Sequence, residues 1–219
     1  MSLFIEELPL ALGAAVSPTI LTVGVLILAG KKQPMARAAA YAIGAAIPLF
    51  AIGIPGVLLL HEAASSKTGI DVSPWVDVAV GVLLIGLGLR RLSKRKTRQE
   101  KEGKRTGRFE NASPIAYLGI GVVMMLTNFT TLTLYLPMLK DIARSGAPAA
   151  DRIVVLLLLD LIVLTTAVVP PLLVAVVGAP ARRALEDLNS WIGRHGRTIA
   201  TAVFLGLGVY LVVKGLGGR

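Results

Sequence analysis

A chain of 219 residues that is 54% hydrophobic and only 16% charged, with a mean hydropathy of +0.73, is too apolar for a soluble domain and reads as membrane-embedded. Its net charge of +10 is concentrated in residues 90–108, where ten Lys/Arg stand against Glu100 and Glu102; this argues for a loop facing anionic headgroups and against nucleic acid as a partner. With no cysteine, disulfides, thiolate metal sites and thiol redox chemistry are excluded.

Six apolar runs of about membrane-spanning length fill most of the chain. Glu6 and Glu7 precede the first, which argues against a secretory signal, and Ser2 in place of glycine argues against myristoylation. The first run, residues 8–29, carries Ser17-Pro18-Thr19 at its centre and Thr22 a turn later. Pro18 has no N–H for the carbonyl of Ala14, so an interruption is expected there. A short loop with Lys31, Lys32 and Arg37 leads to the second run, residues 38–60. In it Tyr41, Gly44, Pro48, Ile52 and Pro55 share a helical stripe expected to face inward. The third run, residues 76–89, is short, and Gly81, Gly86 and Gly88 suit close helix packing. The basic loop follows.

The fourth run, residues 114–139, holds Thr127, Asn128, Thr130, Thr131 and Thr133 near its middle, where each unsatisfied polar group is costly in hydrocarbon. Asn128, Thr131 and Tyr135 share one face by helical spacing. The fifth run, residues 153–177, contains Asp160 and the pair Pro170-Pro171, with Asp160, Ala167 and Pro171 on one stripe. Residues 181–192 place Leu185, Leu188 and Trp191 on one side and Arg182, Arg183, Glu186 and Asp187 on the other, the pattern of an amphipathic helix lying on a membrane surface. The sixth run, residues 198–213, repeats in Gly206 and Gly208 the glycine pair of the third. Prolines likewise mark both the second and the fifth runs.

The expected fold is therefore all-α: a polytopic membrane protein of six transmembrane helices arranged as two inverted three-helix repeats. The chain is one transmembrane domain, 1–219, with repeats 1–92 and 114–219 joined by a cytoplasmic basic linker, 93–113. Loops after the first, third and fifth runs hold three, ten and four Lys/Arg. The N-terminus, the other two loops and the tail hold none, one, three and two. The positive-inside rule then puts both termini outside.

Two interrupted spans, one in each half, point to a transport site at the bilayer midplane. The substrate-binding candidates are Ser17, Pro18, Thr19 and Thr22 from the first span and Thr127, Asn128 and Thr131 from the fourth. The competing readings are a kink patched by Thr22 and ordinary hydrogen-bonded glue between helices. Asp160, an intramembrane carboxylate, is a candidate coupling group for a proton or cation. Against this, it lies only about two turns from the predicted outer end and could reach water or pair with a Lys or Arg. No catalytic set, cofactor or metal site is expected; His61 and His195 fall on opposite sides of the predicted topology.

A first span with a central Ser-Pro, a short basic loop, a long basic loop after the third span and an Asn in the middle of the fourth resemble the lysine exporter superfamily. The nearest likeness is to the mycobacterial-type peptidoglycolipid addressing, or sulfolipid-addressing, proteins, and it extends over the whole chain. It implies six helices in two inverted repeats and export of small molecules or lipids. The helix breaks carry over to Ser17-Pro18 and Thr127-Asn128. The family pattern usually has Asn-Pro in the fourth span, whereas here Phe129 follows Asn128.

The function expected is export of a lipid, glycolipid or other amphiphile by alternating access, in a multi-pass protein of the cell membrane. Two alternatives stay open: a proton-coupled exporter of a small solute or cation, and a non-transporting scaffold for a lipid-synthesis complex. Expected partners are membrane lipids, the substrate and anionic headgroups at the basic loop, with homo-oligomerisation left open.

Overall fold

Three of the six apolar runs do not stay straight, because at each of them polar side chains or prolines disturb the helical hydrogen-bond ladder. The computed structural model describes residues 2–65, 75–93 and 112–217, and among these there are nine helices and no strand. Helices α1 (Ser2–Ala15) and α2 (Pro18–Leu28) make up the first run, bent by 56°. Helix α3 (Pro34–Ser65) continues through Pro48 and Pro55, and α4 (Trp75–Ser93) follows. Helices α5 (Pro114–Leu126) and α6 (Phe129–Arg144) meet at 65°. Helices α7 (Ala149–Val163) and α8 (Thr165–Val177) meet at 63°, and α9 (Ala179–Leu216) ends the described chain. The basic linker expected at 93–113 lies, except for its ends, outside the described residues.

Residues 34–62 and 198–216 are each long and apolar enough to cross a membrane alone, and up to five crossings result if each bent pair counts as one. Helix α4, expected as a short third span, carries Asp77, Arg90 and Arg91 within its 19 residues and falls outside that criterion.

Each break has its own local chemistry. At the first, Pro18 sits in the opening turn of α2, where its missing N–H costs nothing, and the Ser17 hydroxyl accepts from the N–H of Ile20 at 3.4 Å. At the second, no proline is needed. Thr127 turns its hydroxyl back to the carbonyl of Val123 at 2.7 Å, and Asn128 leaves the helical region with φ −77° and ψ 83°. The third break was not expected from the sequence, which read residues 153–177 as continuous. There Thr165 donates to the carbonyl of Ile162 at 2.7 Å, and Pro170 and Pro171 remove two consecutive donors from the ladder that follows.

Helix α9 corrects a second expectation. The amphipathic segment at 181–192 is not separate from the sixth run; the two form one helix of 38 residues. Thr22 of α2 donates to Asn189 Oδ1 at 2.9 Å, and Gly196 lies against Pro18, so this segment is docked on α2. In α3 the inward stripe also differs. Tyr41, Gly44 and Pro48 are buried, but Ile52 and Pro55 are exposed, and Leu49, Gly53 and Val57 are buried instead. The buried line 41–45–49–53–57 follows the i+4 row, as ridge packing against inclined neighbours requires.

Small residues set the closest approaches. Helices α3 and α5 cross so tightly that a Cβ on Gly44 would run into the carbonyl of Leu118, and one on Gly121 into the carbonyl of Tyr41. Helices α4 and α9 touch through Gly81 and Gly208. A Cβ on Gly81 would stand 2.6 Å from the Gly208 carbonyl, and one on Gly208 would stand 2.8 Å from that of Gly81. Both crossings join the first half of the chain to the second, as do the contacts of α1 with α6 and α7.

Candidate functional site

The first and second breaks meet. Pro18 leaves the carbonyl of Ala14 without its helical donor, and the hydroxyl of Thr131, in the first turn of α6, donates to it at 3.0 Å. Asn128 Nδ2 donates to Thr131 Oγ1 at 2.7 Å and to Ser17 Oγ at 2.9 Å. One amide thus bridges the start of α2 and the start of α6. Asn128 makes no cap bond to its own helix, and its Oδ1 has no partner among the described residues. Thr131 and Ser17 are buried, while Asn128 is half-buried.

The other expected site residues lie apart from this junction. Thr19 is exposed, Thr22 is bonded to Asn189 of α9, and Thr127 is exposed with its hydroxyl on its own helix. Thr133 likewise donates to the Phe129 carbonyl at 2.6 Å. Of the expected site residues, Ser17, Asn128 and Thr131 meet at the junction of the two breaks, whereas Thr22 crosses the halves elsewhere, to α9.

Asp160 is fully buried, and neither carboxylate oxygen has a hydrogen-bond partner among the described residues. It is buried from solvent and pairs with no basic residue among the described residues. Tyr135 faces it from α6, but its hydroxyl donates to the carbonyl of Leu49 on α3 at 3.0 Å. Gly53 keeps room for that hydroxyl, since a Cβ there would collide with it. Tyr41 is also buried and donates to the Ile20 carbonyl at 3.2 Å, so both tyrosines serve packing with a satisfied hydroxyl.

The family described as Sap, sulfolipid-1-addressing protein, matches residues 8–217. The chain belongs to this family. No curated protein and no solved structure matches it. Together with its apolar helices, the Sap family makes this a membrane protein involved in lipid handling.

This Sap-family chain also contains a charged cluster that residue-by-residue reading missed. Lys140 of α6 is ion-paired with Asp77 of α4 and lies 3.5 Å from Asp141. Lys214 of α9 bridges Asp141 at 2.9 Å and Glu7 of α1 at 3.1 Å. The result is an alternating row, Asp77–Lys140–Asp141–Lys214–Glu7, in which Asp77, Lys140 and Glu7 are all buried. The signal was in the sequence: these residues lie at the ends of four predicted spans that the charge rule puts on one side.

Proposed function

We propose that this Sap-family protein exports a lipid, glycolipid or other amphiphile from the cytoplasm by alternating access around the two meeting breaks. In this reading it is a six-span protein of the cell membrane, built as two inverted three-helix repeats with both termini outside, and akin to the lysine exporters. The reciprocal glycine crossing of α4 with α9 supports that symmetry, since these carry the third apolar run of each half. So does the placing of both polar breaks at one junction. The single observation that carries the proposal is the Asn128 amide. Rather than capping its own helix, it reaches across the halves to Ser17 while also holding Thr131, and its half-buried Oδ1 has no partner among the described residues. Discontinuous helices whose ends converge near mid-depth are how transporters present polar groups to cargo without exposing them to lipid.

The test is lipid translocation in proteoliposomes. Asn128→Ala should lower the rate by at least about tenfold, the equivalent of about 1.4 kcal/mol of lost interaction. A rate equal to that of the parent would remove Asn128 from the mechanism.

A second reading is favoured by Asp160 alone. A fully buried carboxylate with no basic partner among the described residues would be uncharged or hold a cation, which suits a proton-coupled exporter of a small solute or cation. In that case Asp160→Asn abolishes the dependence of flux on a proton gradient, whereas a lipid exporter without proton coupling keeps its rate.

A further inference from the structure

Every ion pair of the row Asp77–Lys140–Asp141–Lys214–Glu7 that leaves its own helix ties one element to another, and two of them join the halves of the chain. Asp77 and Glu7 come from residues before the basic linker; Lys140 and Lys214 come from after it. At the other end of the molecule Arg37 lies 5.2 Å over the ring of Tyr117, and Thr22 is bonded to Asn189. The row lies at the end of the molecule that holds the start of α1 and the finish of α9. From Glu7 to Ala14 is seven residues of α1, about 10 Å at 1.5 Å per residue, and from Thr131 to Lys140 along α6 is about 14 Å. The row therefore lies one short layer beyond the junction of the breaks. That layer is filled by Leu10, Leu134 and Met138, all fully buried.

The row is also unbalanced. Three acids face two lysines, and Glu7 Oε2 and Asp77 Oδ1 have no partner among the described residues. Buried ion pairs that are incompletely satisfied hold less firmly than apolar packing of the same volume. Such a row suits a contact that opens and recloses better than it suits a permanent staple.

We propose that this five-residue row is a gate that shuts the cargo path at the terminus end and must part for release on that side. The inference rests on the transport reading above. During export the two halves separate there, Lys214 leaving Glu7 and Lys140 leaving Asp77, while the glycine crossings act as pivots.

The absence of cysteine makes the test direct. A single Ala11→Cys reporter lies on α1 between the row and the breaks, and Ala11 is fully buried. In proteoliposomes, a charged, membrane-impermeant thiol reagent is applied on the side where the terminal tag is protease-accessible. Lys214→Met should raise the labelling rate of the reporter at least tenfold, and Lys140→Met likewise, while Lys31→Gln leaves it unchanged. Equal rates in all four proteins overturn the gate. Should the lysine variants fail to fold, the double variant Glu7→Cys/Lys214→Cys decides the matter. Its cross-linked form should stop lipid translocation, and reduction should restore it. Translocation that is unaffected by the cross-link overturns the gate while leaving the transport reading intact. Labelling that responds to the lysines when no cargo moves in any variant removes the transport reading but keeps the row as a closure.

Discussion

Thr131→Val tests whether the two breaks depend on each other. The Thr131 hydroxyl is the only described group that reaches the carbonyl of Ala14, which Pro18 has left without a helical donor. Valine keeps the side chain's shape and removes both bonds of the hydroxyl. The carbonyl is then buried and unpaired, at a cost of about 1–3 kcal/mol. Asn128 loses one acceptor, worth about 0.6 kcal/mol by the average for hydrogen bonds between membrane helices, but keeps Ser17. The total is about 2–4 kcal/mol. Thr133→Val is the matched control on the same helix. Its hydroxyl only doubles a backbone bond to the Phe129 carbonyl, so its loss should stay within about 0.5 kcal/mol. Unfolding of the purified protein in mild detergent measures both. If Thr131→Val is no less stable than Thr133→Val, the breaks are satisfied independently, and the argument that they form one site fails.

Two further outcomes follow from packing and charge. Gly44→Ala drives a methyl into the backbone of α5 and should cost about 1–3 kcal/mol. Gly119→Ala, exposed on α5 with open space around it, should be neutral or gain up to about 1 kcal/mol from helix propensity; melting temperatures that rank the other way would refute the close crossing. Lys140→Met leaves the buried Asp77 carboxylate unpaired and should cost about 3–5 kcal/mol, most of it recovered by pairing it with Asp77→Leu. If the double variant is as unstable as the single one, Asp77 was never compensated by Lys140.

How much of this was legible in the sequence depended on how local the cause was. Pro18 and the polar cluster at Thr127–Asn128 mark their breaks because the cause is local: a missing donor in one case, competing side-chain acceptors and donors in the other. Phe129 in place of proline did not soften the second break, since the Thr127 hydroxyl adds a second bond to the Val123 carbonyl and the Asn128 amide is held across the interface. The third break escaped because its prolines lie downstream of the bend and its polar cue, Thr165, reads as an ordinary helix residue. The continuity of α9 escaped for the opposite reason. Residues 193–197, between the two expected segments, stay helical, and Gly196 is where Pro18 packs. Of the site, the partnership of Ser17 with Asn128 could be expected only from the two breaks falling at matching depth. The roles of Thr19, Thr22 and Thr127 could not be separated without knowing which way each helix faces.

The charged row shows what a span-by-span reading leaves out. Glu7, Asp77, Lys140, Asp141 and Lys214 each look like a helix end meeting water, and each alone would snorkel to the headgroups. Taken together, opposite signs at the same-side ends of four helices require a common explanation, because a lone buried Glu7 or Asp77 would be untenable in hydrocarbon. An apolar set of side chains would close that end more firmly. On the gate reading, the ion pairs beside Leu10 and Met138 are the part of the seal that opens. On that same reading, the route it closes runs back to the junction of Ser17, Asn128 and Thr131.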